Sequence, residues 1–446
     1  MRKSSKASRD LKIVNPNAAG IDIAAERHYV AIPEGRGART IENFGCVTEE
    51  LERMAQWLKA CGITSVAMES TGVYWIPVCE ILEDRGFEVV LVDPKQVKNI
   101  KGKKTDVHDA AWIQKLHSFG LLSGSFRPEA EIQAMRDLWR FRDTLVKSGA
   151  RQIHVMQKAL EQMNVQLHKV ISDITGFSGL RILRAIVSGV RDPHQLAQLA
   201  TRGIKAAPEQ IAAALRGHYR EQHLFVLAQT LQTYDFVRER IAECDVAIER
   251  AMNRLSGEHL VPPRPVRDRR YKNHPGFDLA REQIRITGVD LARIPCVSAL
   301  TIQSVITECG VSPGHSFPTE KHFASWMGLA PNNQKTGGRV FSSKTRSRPL
   351  SAATALRVAA MSLQRSKTPL GDRFRSLKAR IGTPKAITAL AHLMARLIYR
   401  GLTRGQDYLD AGLRNLELVT QSKKVETLIR RAKYLGYQLT PLPQAP

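Results

Sequence analysis

The stretch AGIDIAAERHYVAIPEG, residues 19–35, decides the fold of the first part of this chain. Its apolar residues predict two short strands joined by a turn around Ala25 to Arg27. The segment ARTIENFGCV, residues 38–47, predicts a third strand, so that the three strands form a meander. Asp22 stands out because it is predicted in the middle of the first strand, with apolar neighbours on both sides.

Helical and strand patterns alternate after the meander. We predict helices at residues 48–62, 73–86 and 106–120, and strands at residues 64–70 and 87–94. Three strands, a helix, and then alternating strands and helices is the order of an RNase H-like α/β domain, although several other α/β folds share parts of this order. The sequence therefore predicts an RNase H-like N-terminal domain over residues 15–126.

A different pattern begins after Pro128, where apolar residues recur at alternating steps of three and four. The first seam contains Met135, Trp139, Arg142, Val146, Gly149, Ile153, Met156, Leu160, Met163, Leu167 and Val170. The second seam contains Leu224, Leu227, Leu231, Tyr234, Val237, Ile241, Cys244, Ile248, Ala251 and Leu255. Such seams predict long coiled-coil helices in a helical region at residues 129–256. An antiparallel hairpin within the chain and a contact between two chains both fit, and the sequence does not choose between them.

The rest of the chain divides by composition into three parts. A Pro- and Arg-rich segment at residues 257–287 predicts an extended basic linker. Residues 288–370 predict a mainly α domain with a Gly-rich basic loop, and residues 371–446 predict a basic helical tail.

The charge of the chain favours a polyanionic partner. Its 446 residues include 67 Lys and Arg but only 42 Asp and Glu, which gives a formal net charge of +25. This excess favours nucleic acid over a membrane surface, since no apolar run approaches the roughly 20 residues of a spanning helix. The N-terminus lacks the apolar core of a secretory signal. The six cysteines are scattered without a CxxC pair, which argues against zinc and for a reducing, cytoplasmic setting.

Four acidic residues are expected to meet in the first domain. Asp22 and Glu69 are on predicted strands, and Asp106 and Asp109 share one face of a predicted helix. In an RNase H-like sheet these elements converge on one edge, where four carboxylates would repel one another unless cations were bound. Their hard oxygen ligands suit Mg²⁺ or Mn²⁺. Two such ions about 4 Å apart can activate an attacking oxygen and stabilise the leaving oxygen in phosphodiester cleavage.

Each of the four carboxylates also has a structural explanation. Asp106 fits a helix cap, and Asp109 fits a solvated helix residue. Glu69 fits a surface residue at a strand end, and Asp22 fits an exposed strand face. The order of the four acids along these particular elements favours the metal site over four separate explanations.

Three lysines precede the paired aspartates in KGKKTDVHDA, residues 101–110. If the aspartates bind metal, Lys101, Lys103 and Lys104 are expected to hold the DNA backbone beside it.

The segments that carry these features resemble one family. GIDIA, AMESTGVYW, VVLVDPKQVKNIKGKKTDVHDA and GLAPNNQKTGGRVFSSKT together resemble the DEDD transposases of the IS one-ten group, eleven-eleven subgroup, which are insertion-sequence recombinases related to the Piv-type invertases. The resemblance covers the first domain to about residue 126 and the segment from about 288 to 365. It implies a RuvC-like domain that binds divalent metal through its DEDD acids, Asp22, Glu69, Asp106 and Asp109.

The resemblance also implies a C-terminal transposase domain with a nucleophilic serine in a Ser-Gly-Gly-Lys loop, which forms a covalent protein–DNA intermediate. It further implies a homo-oligomer, a dimer or a tetramer, that combines the metal domain of one subunit with the serine domain of another. Relatives are guided by a non-coding RNA from the element, which pairs with target and donor DNA. A bacterial cytoplasmic protein associated with the nucleoid is therefore expected.

The chain departs from the family pattern at the nucleophile. The matching loop reads KTGGR, residues 335–339, with threonine at the serine position. A threonine hydroxyl is a nucleophile when it is activated, but its extra methyl group crowds in-line attack. Three alternatives stay open: Thr336 is the nucleophile, Ser342 or Ser343 replaces it, or the copy is impaired.

The residues around Thr336 predict contacts with DNA. Gly337 and Gly338 would allow close approach of the DNA backbone, and Arg339 and Lys344 are expected to contact phosphate. The structural alternative is a turn in a solvated basic loop.

The leading function is a DNA recombinase that cuts and rejoins strands through a metal-assisted protein–DNA ester. One alternative is a RuvC-like structure-selective endonuclease, which hydrolyses DNA with water and leaves no adduct. Another is a non-catalytic nucleic-acid-binding scaffold, which suits the charge and the helices but does not explain four carboxylates.

Overall fold

The computed structural model describes residues 12–70, 72–97, 106–201, 203–255, 257, 259, 273–346 and 350–440. Lys101, Lys103 and Lys104 lie outside these residues, so their expected contact with DNA stays a prediction. The chain divides into two compact units, Met1–Arg127 and Pro128–Pro446.

The first unit is built on a five-stranded mixed sheet with the strand order β3-β2-β1-β4-β5. Its strands are β1 (Ala18–Asp22), β2 (Arg27–Ala31), β3 (Ile41–Gly45), β4 (Ser65–Glu69) and β5 (Glu88–Val92). Its helices are α1 (Thr48–Ala60), α2 (Trp75–Asp84), α3 (Pro94–Val97) and α4 (Asp106–Ser118). The first three strands pair antiparallel, whereas β1, β4 and β5 run parallel. This confirms a mixed α/β sheet domain consistent with the RNase H-like prediction; the short helix α3 was not predicted.

Helices cover both faces of this sheet. Ile21 of β1 and Met68 of β4 are buried in one core with residues of α1 and α2. Ala67 of β4 belongs to a second buried cluster with Ile113 of α4. Because alternate residues of a strand point to opposite faces, the two clusters mark the two faces of the sheet.

The second unit is mainly helical. Its helices are α5 (Ala130–Gln162), α6 (Leu167–Val170), α7 (Phe177–Val187), α8 (Pro193–Gln198), α9 (Pro208–Ala214), α10 (Glu221–Arg254), α11 (Leu279–Thr287), α12 (Ala299–Cys309), α13 (Glu320–Trp326), α14 (Ser351–Ser362), α15 (Pro369–Ile381), α16 (Thr383–Arg404) and α17 (Gln406–Tyr434). Two short strands, β6 (Gln334–Thr336) and β7 (Arg339–Ser342), form a separate sheet. Among the helices of the described residues, none combines the length and the apolar character needed to cross a membrane.

The long helices α5 and α10 pair antiparallel within the chain. Arg142 of α5 forms a buried ion pair with Asp245 of α10, with Nε and Oδ1 2.5 Å apart. Farther along α5, a Cβ on Gly149 would lie 3.6 Å from Val237 Cγ1 of α10. The partner positions move down α10 as those of α5 move up, which identifies the hairpin arrangement for these helices. Whether the pair supercoils as a coiled coil stays a prediction.

The first seam is interrupted earlier than predicted. The spacing predicts one continuous helix from Met135 through Val170, but α5 ends at Gln162. Asn164 has a φ of 55°, a left-handed conformation that stops an α-helix, and the chain re-enters a helix only at α6.

The prediction of an extended linker over residues 257–287 is wrong at its C-terminal end. Leu279–Thr287 forms the helix α11, and the Asp278 side chain caps it by accepting a hydrogen bond from the Arg281 backbone N–H at 3.0 Å. The Pro- and Arg-rich residues 260–272 lie outside the described residues.

Candidate active site

Asp22 and Glu69 are the last residues of two neighbouring parallel strands. The register pairs Ile21 of β1 with Met68 of β4, so the two acids follow at the same level of the sheet. The prediction that Asp22 lies mid-strand is wrong: β1 ends there because the chain turns back into β2. Both acids are half-buried.

Strand alternation directs both side chains to the face of the sheet that α4 covers. Asp22 is two residues beyond Gly20, and a Cβ on Gly20 would lie only 2.2 Å from the Gln114 backbone nitrogen of α4. Glu69 is two residues beyond Ala67, which belongs to the buried cluster of α4. Residues two apart on a strand share a face, so Asp22 and Glu69 are on the α4 side.

The direction of α4 brings its N-terminus toward the same edge. At the opposite end of the helix, His117 Nε2 lies 2.7 Å from Ser65 Oγ, at the start of β4. The Val14 backbone N–H donates to the Ser118 carbonyl oxygen at 2.8 Å, just before β1. The helix therefore runs antiparallel to β1 and β4, with its first residues beside their C-terminal ends.

The rise per residue of α4 and of β1 gives the position of Asp106 along the strand direction, relative to Asp22. Gly20 lies between Ala110 and Gln114 of α4, so Asp106 is about six residues, or about 9 Å of helix, from this contact. From Gly20 to Asp22 is two residues, or about 7 Å of strand. Since Asp109 is only about three residues, or about 4.5 Å, from the same contact, the level of Asp22 falls between Asp106 and Asp109. Asp106 is exposed and Asp109 is half-buried.

The buried pair of Ser65 and His117 fixes the far end of α4. Burial lowers the pKa of His117, and the nearby Glu88 only partly opposes this shift. The ring is therefore neutral at pH 7, and its hydrogen bond holds the helix without a buried charge.

Asp93 is an acidic residue at this edge that the sequence analysis missed. It follows β5 directly, and the last residue of β5, Val92, pairs with Glu69. The sequence carried a signal for it, because an acid directly after a buried parallel strand lies at the edge where the strands end.

The side chains at this edge are not gathered around one point. Within the described parts of the chain, no three Asp, Glu, His or Cys side chains form a group that could hold a metal ion. The backbone nevertheless brings four carboxylates to one sheet edge, and carboxylate oxygen is the donor that Mg²⁺ and Mn²⁺ prefer. The kind of donor and the placement of the elements fit a divalent cation.

The predicted nucleophile lies in the second unit, at the tip of a β-hairpin. β6 and β7 are joined by Gly337 and Gly338, whose φ angles are 55° and 77°. Positive φ at both central residues is typical of a type I′ turn, which glycine adopts without strain. Thr336 and Arg339 flank the turn as a cross-strand pair, and both are exposed.

The alternative nucleophiles lie farther from the tip. Ser342 is half-buried and pairs with Gln334 at the other end of the hairpin. Ser343 and Lys344 follow it and are exposed. Thr336 is therefore the hydroxyl nearest the turn.

A buried carboxylate connects the base of this region to α5. Glu308 of α12 is 1% exposed and accepts two hydrogen bonds from the Arg140 guanidinium, at 2.8 and 2.9 Å. Its Oε1 also accepts from the Ser351 hydroxyl at 2.9 Å, at the first residue of α14. The sequence gives no signal for this cluster, because its three members are far apart in the chain.

Both units match family models of transposases. Residues 19–165 match the IS110 transposase DEDD model, described as a transposase. Residues 290–375 match a model described as the transposase IS116/IS110/IS902 family.

Two relatives carry transposase names. The transposase for insertion sequence element IS1328 of Yersinia enterocolitica is 22% identical over 328 residues, which cover 73% of this chain and 77% of that protein. The y4uE protein of Sinorhizobium fredii, named for an inferred transposase activity, is 36% identical over 105 residues. That match covers 21% of this chain and 28% of y4uE.

Proposed function

Because this chain is a DNA transposase with IS110-type models matching both of its units, we propose that it cuts and rejoins DNA through a divalent-metal site and a hydroxyl nucleophile. The metal site consists of Asp22, Glu69, Asp106 and Asp109. The observation that carries this proposal is the close contact of α4 with β1 at Gly20, which brings the start of the helix to the strand ends that bear the other two acids.

In this proposal the four carboxylates hold Mg²⁺ or Mn²⁺ at the sheet edge. The bound ion would supply positive charge to the phosphate under attack. The carboxylates would also orient the DNA indirectly, because the position of the cation that they hold determines where the attacked phosphate binds.

Thr336 is the proposed nucleophile. Its Oγ1 attacks a phosphorus atom of the DNA and gives up its proton, while the bond from phosphorus to one deoxyribose oxygen breaks and that oxygen takes up a proton. A hydroxyl of the second DNA end then attacks the phosphothreonine ester, which joins the strands and restores the Thr336 hydroxyl. Arg339 supports this role, because directly paired side chains on a hairpin are about 5 Å apart and its guanidinium can bind the attacked phosphate.

We propose in addition that an RNA from the insertion element directs the enzyme to its DNA, and that the active form is a homo-oligomer. The net charge of +25 supports binding of two polyanions. Digestion of the RNA should abolish recognition of the element end, and added transcript should restore it.

The nucleophile is tested with end-labelled element DNA, the element RNA and Mg²⁺, followed by denaturing electrophoresis. We expect a protein–DNA adduct in the wild type and none in Thr336→Ala. Thr336→Ser is the matched control and should form the adduct at least as fast as wild type, because it keeps the hydroxyl and removes the crowding methyl. An adduct that persists in Thr336→Ala and disappears in Ser342→Ala or Ser343→Ala would move the nucleophile to that serine.

The metal site is tested by neutralising its acids. Asp106→Asn and Asp109→Asn should each reduce adduct formation by at least about 100-fold, because each removes a charge that holds the cation. Glu34→Gln is the control, since Glu34 is exposed in the loop after β2, at the opposite edge of the sheet. Wild-type activity in both aspartate variants would contradict the proposed metal site.

The alternative function is a RuvC-like endonuclease that uses water. Threonine at the nucleophile position is the observation that favours it. Mg²⁺-dependent strand cleavage that never yields an adduct, with equal rates in wild type and Thr336→Ala, would identify that enzyme instead. A non-catalytic scaffold would bind DNA and cleave it under none of these conditions.

A further inference from the structure

The hairpin that carries Thr336 also exposes two large apolar side chains. Phe341 of β7 is 68% exposed and Val340 is 51% exposed. The two strands pair with each other in a sheet of their own. These apolar side chains belong to a segment that the proposed chemistry brings to DNA.

A break in the strand register sets the position of Phe341. Lys335 pairs with Val340, but the next residue toward the base, Gln334, pairs with Ser342. Phe341 is therefore the extra residue of a β-bulge. Bulges interrupt the ladder and redirect a side chain, and they are frequent beside functional sites.

The charges of the hairpin indicate which partner covers this face. Residues 331–346 include four cationic residues and no acidic residue. The cations are Lys335, Arg339, Lys344 and Arg346. The same hairpin of a second copy would present the same positive charges and be repelled, whereas a nucleic acid offers both phosphates for the cations and base faces for the phenyl ring.

We propose that Phe341 is a DNA-distorting residue that stacks on a base next to the phosphate attacked by Thr336 and thereby unstacks that base step. Val340 lies beside it and adds apolar contact. Basic proteins use apolar side chains in this way, as wedges between base steps that open or kink the duplex. The inference rests on the proposed function, since it assumes that the hairpin meets DNA at the cut site.

The hairpin geometry predicts where the distortion occurs. Thr336 pairs with Arg339, and Phe341 is two residues farther along β7, or about 7 Å. Successive phosphates of one strand are about 3.4 Å apart along the duplex axis. The unstacked base should therefore be within about two nucleotides of the attacked phosphate.

The inference is tested with the full chain, the element RNA and element-end duplexes that carry 2-aminopurine at single positions, with Ca²⁺ in place of Mg²⁺ to slow cleavage. Wild type should raise the fluorescence of a probe within about two nucleotides of the cut, because unstacking relieves quenching. Phe341→Ala should lose this increase and bind the duplex about 5- to 150-fold more weakly, the range expected for loss of one stacked base. Phe341→Trp should keep both properties.

Phe177→Ala is the matched control, because Phe177 is a phenylalanine of the same unit that is 71% exposed and lies beside Arg181. It should behave as wild type. A duplex with a mismatch bubble at the cut site should remove the difference between wild type and Phe341→Ala, because its bases are already unstacked.

Three results would overturn the inference. The first is an unchanged probe signal in Phe341→Ala, and the second is a binding defect that neither Phe341→Trp nor the mismatch bubble restores. The third is that Phe341→Ala dissociates an oligomer in the absence of DNA, which would identify a contact between subunits. Failure of the proposed function is distinguished by the adduct assay. If wild type forms no adduct, the proposed function fails, but the fluorescence and the affinity of wild type and Phe341→Ala can still be compared.

Discussion

Glu320, the first residue of α13, connects that helix to α16 through two arginines. Its Oε1 accepts hydrogen bonds from Arg396 Nε at 2.8 Å and from an Arg400 guanidinium nitrogen at 2.6 Å. Partial burial alone would raise the pKa of Glu320, but the hydrogen bonds from Arg400 and Arg396 outweigh it and lower the pKa to about 2. Glu320 is therefore ionised in the folded protein at pH 7, and its charge stabilises the second unit.

This shift predicts a pH dependence of stability. Because the folded pKa is about 2 and the ordinary value is 4.5, the stabilisation is complete above pH 4.5 and is lost as the pH falls toward 2. Glu320→Gln should lower the free energy of unfolding by about 1–3 kcal/mol at pH 7. Thermal melting from pH 7 to pH 3 should show this difference shrinking below pH 4.5. Glu426→Gln, an exposed acid on α17, should melt as wild type throughout, and a difference for Glu320→Gln that grows on acidification would contradict the assignment.

The sequence identified individual acids better than it located them. Asp22 was singled out because apolar residues surround it, yet its place at the end of β1 depends on where the strand turns back. Asp93 was missed because the predicted strand runs through it to Pro94, whereas β5 ends at Val92. A carboxylate becomes a candidate through its neighbours across the sheet, and those neighbours are remote in sequence.

At the scale of elements, the contact between α4 and β1 positions the candidate site. A Cβ on Gly20 would lie 2.2 Å from the Gln114 nitrogen and 2.6 Å from the Ala110 carbonyl oxygen, both backbone atoms that cannot rotate away. The absence of a side chain at Gly20 thus allows the helix to lie directly on the strand.

Gly20→Ala should displace α4 and with it Asp106 and Asp109. We expect a loss of about 1–3 kcal/mol in the free energy of unfolding, as for other overpacked sites, together with a large loss of adduct formation. Gly124→Ala is the control in the same unit, since its Cβ would meet only Val90 Cγ1 at an ordinary 3.6 Å. Denaturant melting and the adduct assay measure the two effects, and full activity in Gly20→Ala would show that the position of α4 is not critical.

The pattern of elements was largely predictable where local rules decide it. The five strands of the first sheet and its longer helices follow from apolar runs and their spacing. The end of α5 did not follow, because the apolar spacing continues through Leu167 while Asn164 adopts a left-handed φ of 55°. Apolar spacing indicates which side chains can pack on a helix, but it does not indicate where the backbone leaves the helical conformation.

At the scale of the whole second unit, one buried ion pair joins distant segments. Arg142 and Asp245 are 4% and 6% exposed. Arg142 also donates to the Asn273 carbonyl oxygen at 3.0 Å, and the Gly276 N–H donates to Asp245 at 3.0 Å. The pair thus holds the segment before α11 against the two long helices.

Asp245→Asn should destabilise the protein by about 3–5 kcal/mol, because it leaves the Arg142 cation buried without its counter-charge. Glu243→Gln on the same helix is the control, since its pair with Arg240 is at the surface and should change stability by at most about 1 kcal/mol. Replacing both partners, as in Arg142→Met with Asp245→Leu, should recover much of the loss. Denaturant unfolding measures all three variants, and equal effects of Asp245→Asn and Glu243→Gln would refute the role of the pair.

The sequence left the partner of each long seam undecided, and its one charged member, Arg142, was unexplained. The partner of α5 is α10, and the partner of Arg142 is Asp245 on that helix, 103 positions away in the chain. Periodicity shows that a helix needs a partner, but only the folded chain shows which helix that is.

That separation has a consequence for synthesis on the ribosome. At the usual 5–20 residues per second, Arg142 is made about 5–20 s before Asp245. During that interval the part of α5 that packs on α10 is uncovered and Arg142 has no counter-charge, so the nascent chain is exposed to aggregation. A codon change that delays α10 should therefore reduce the yield of soluble protein more than an equal delay placed within α17.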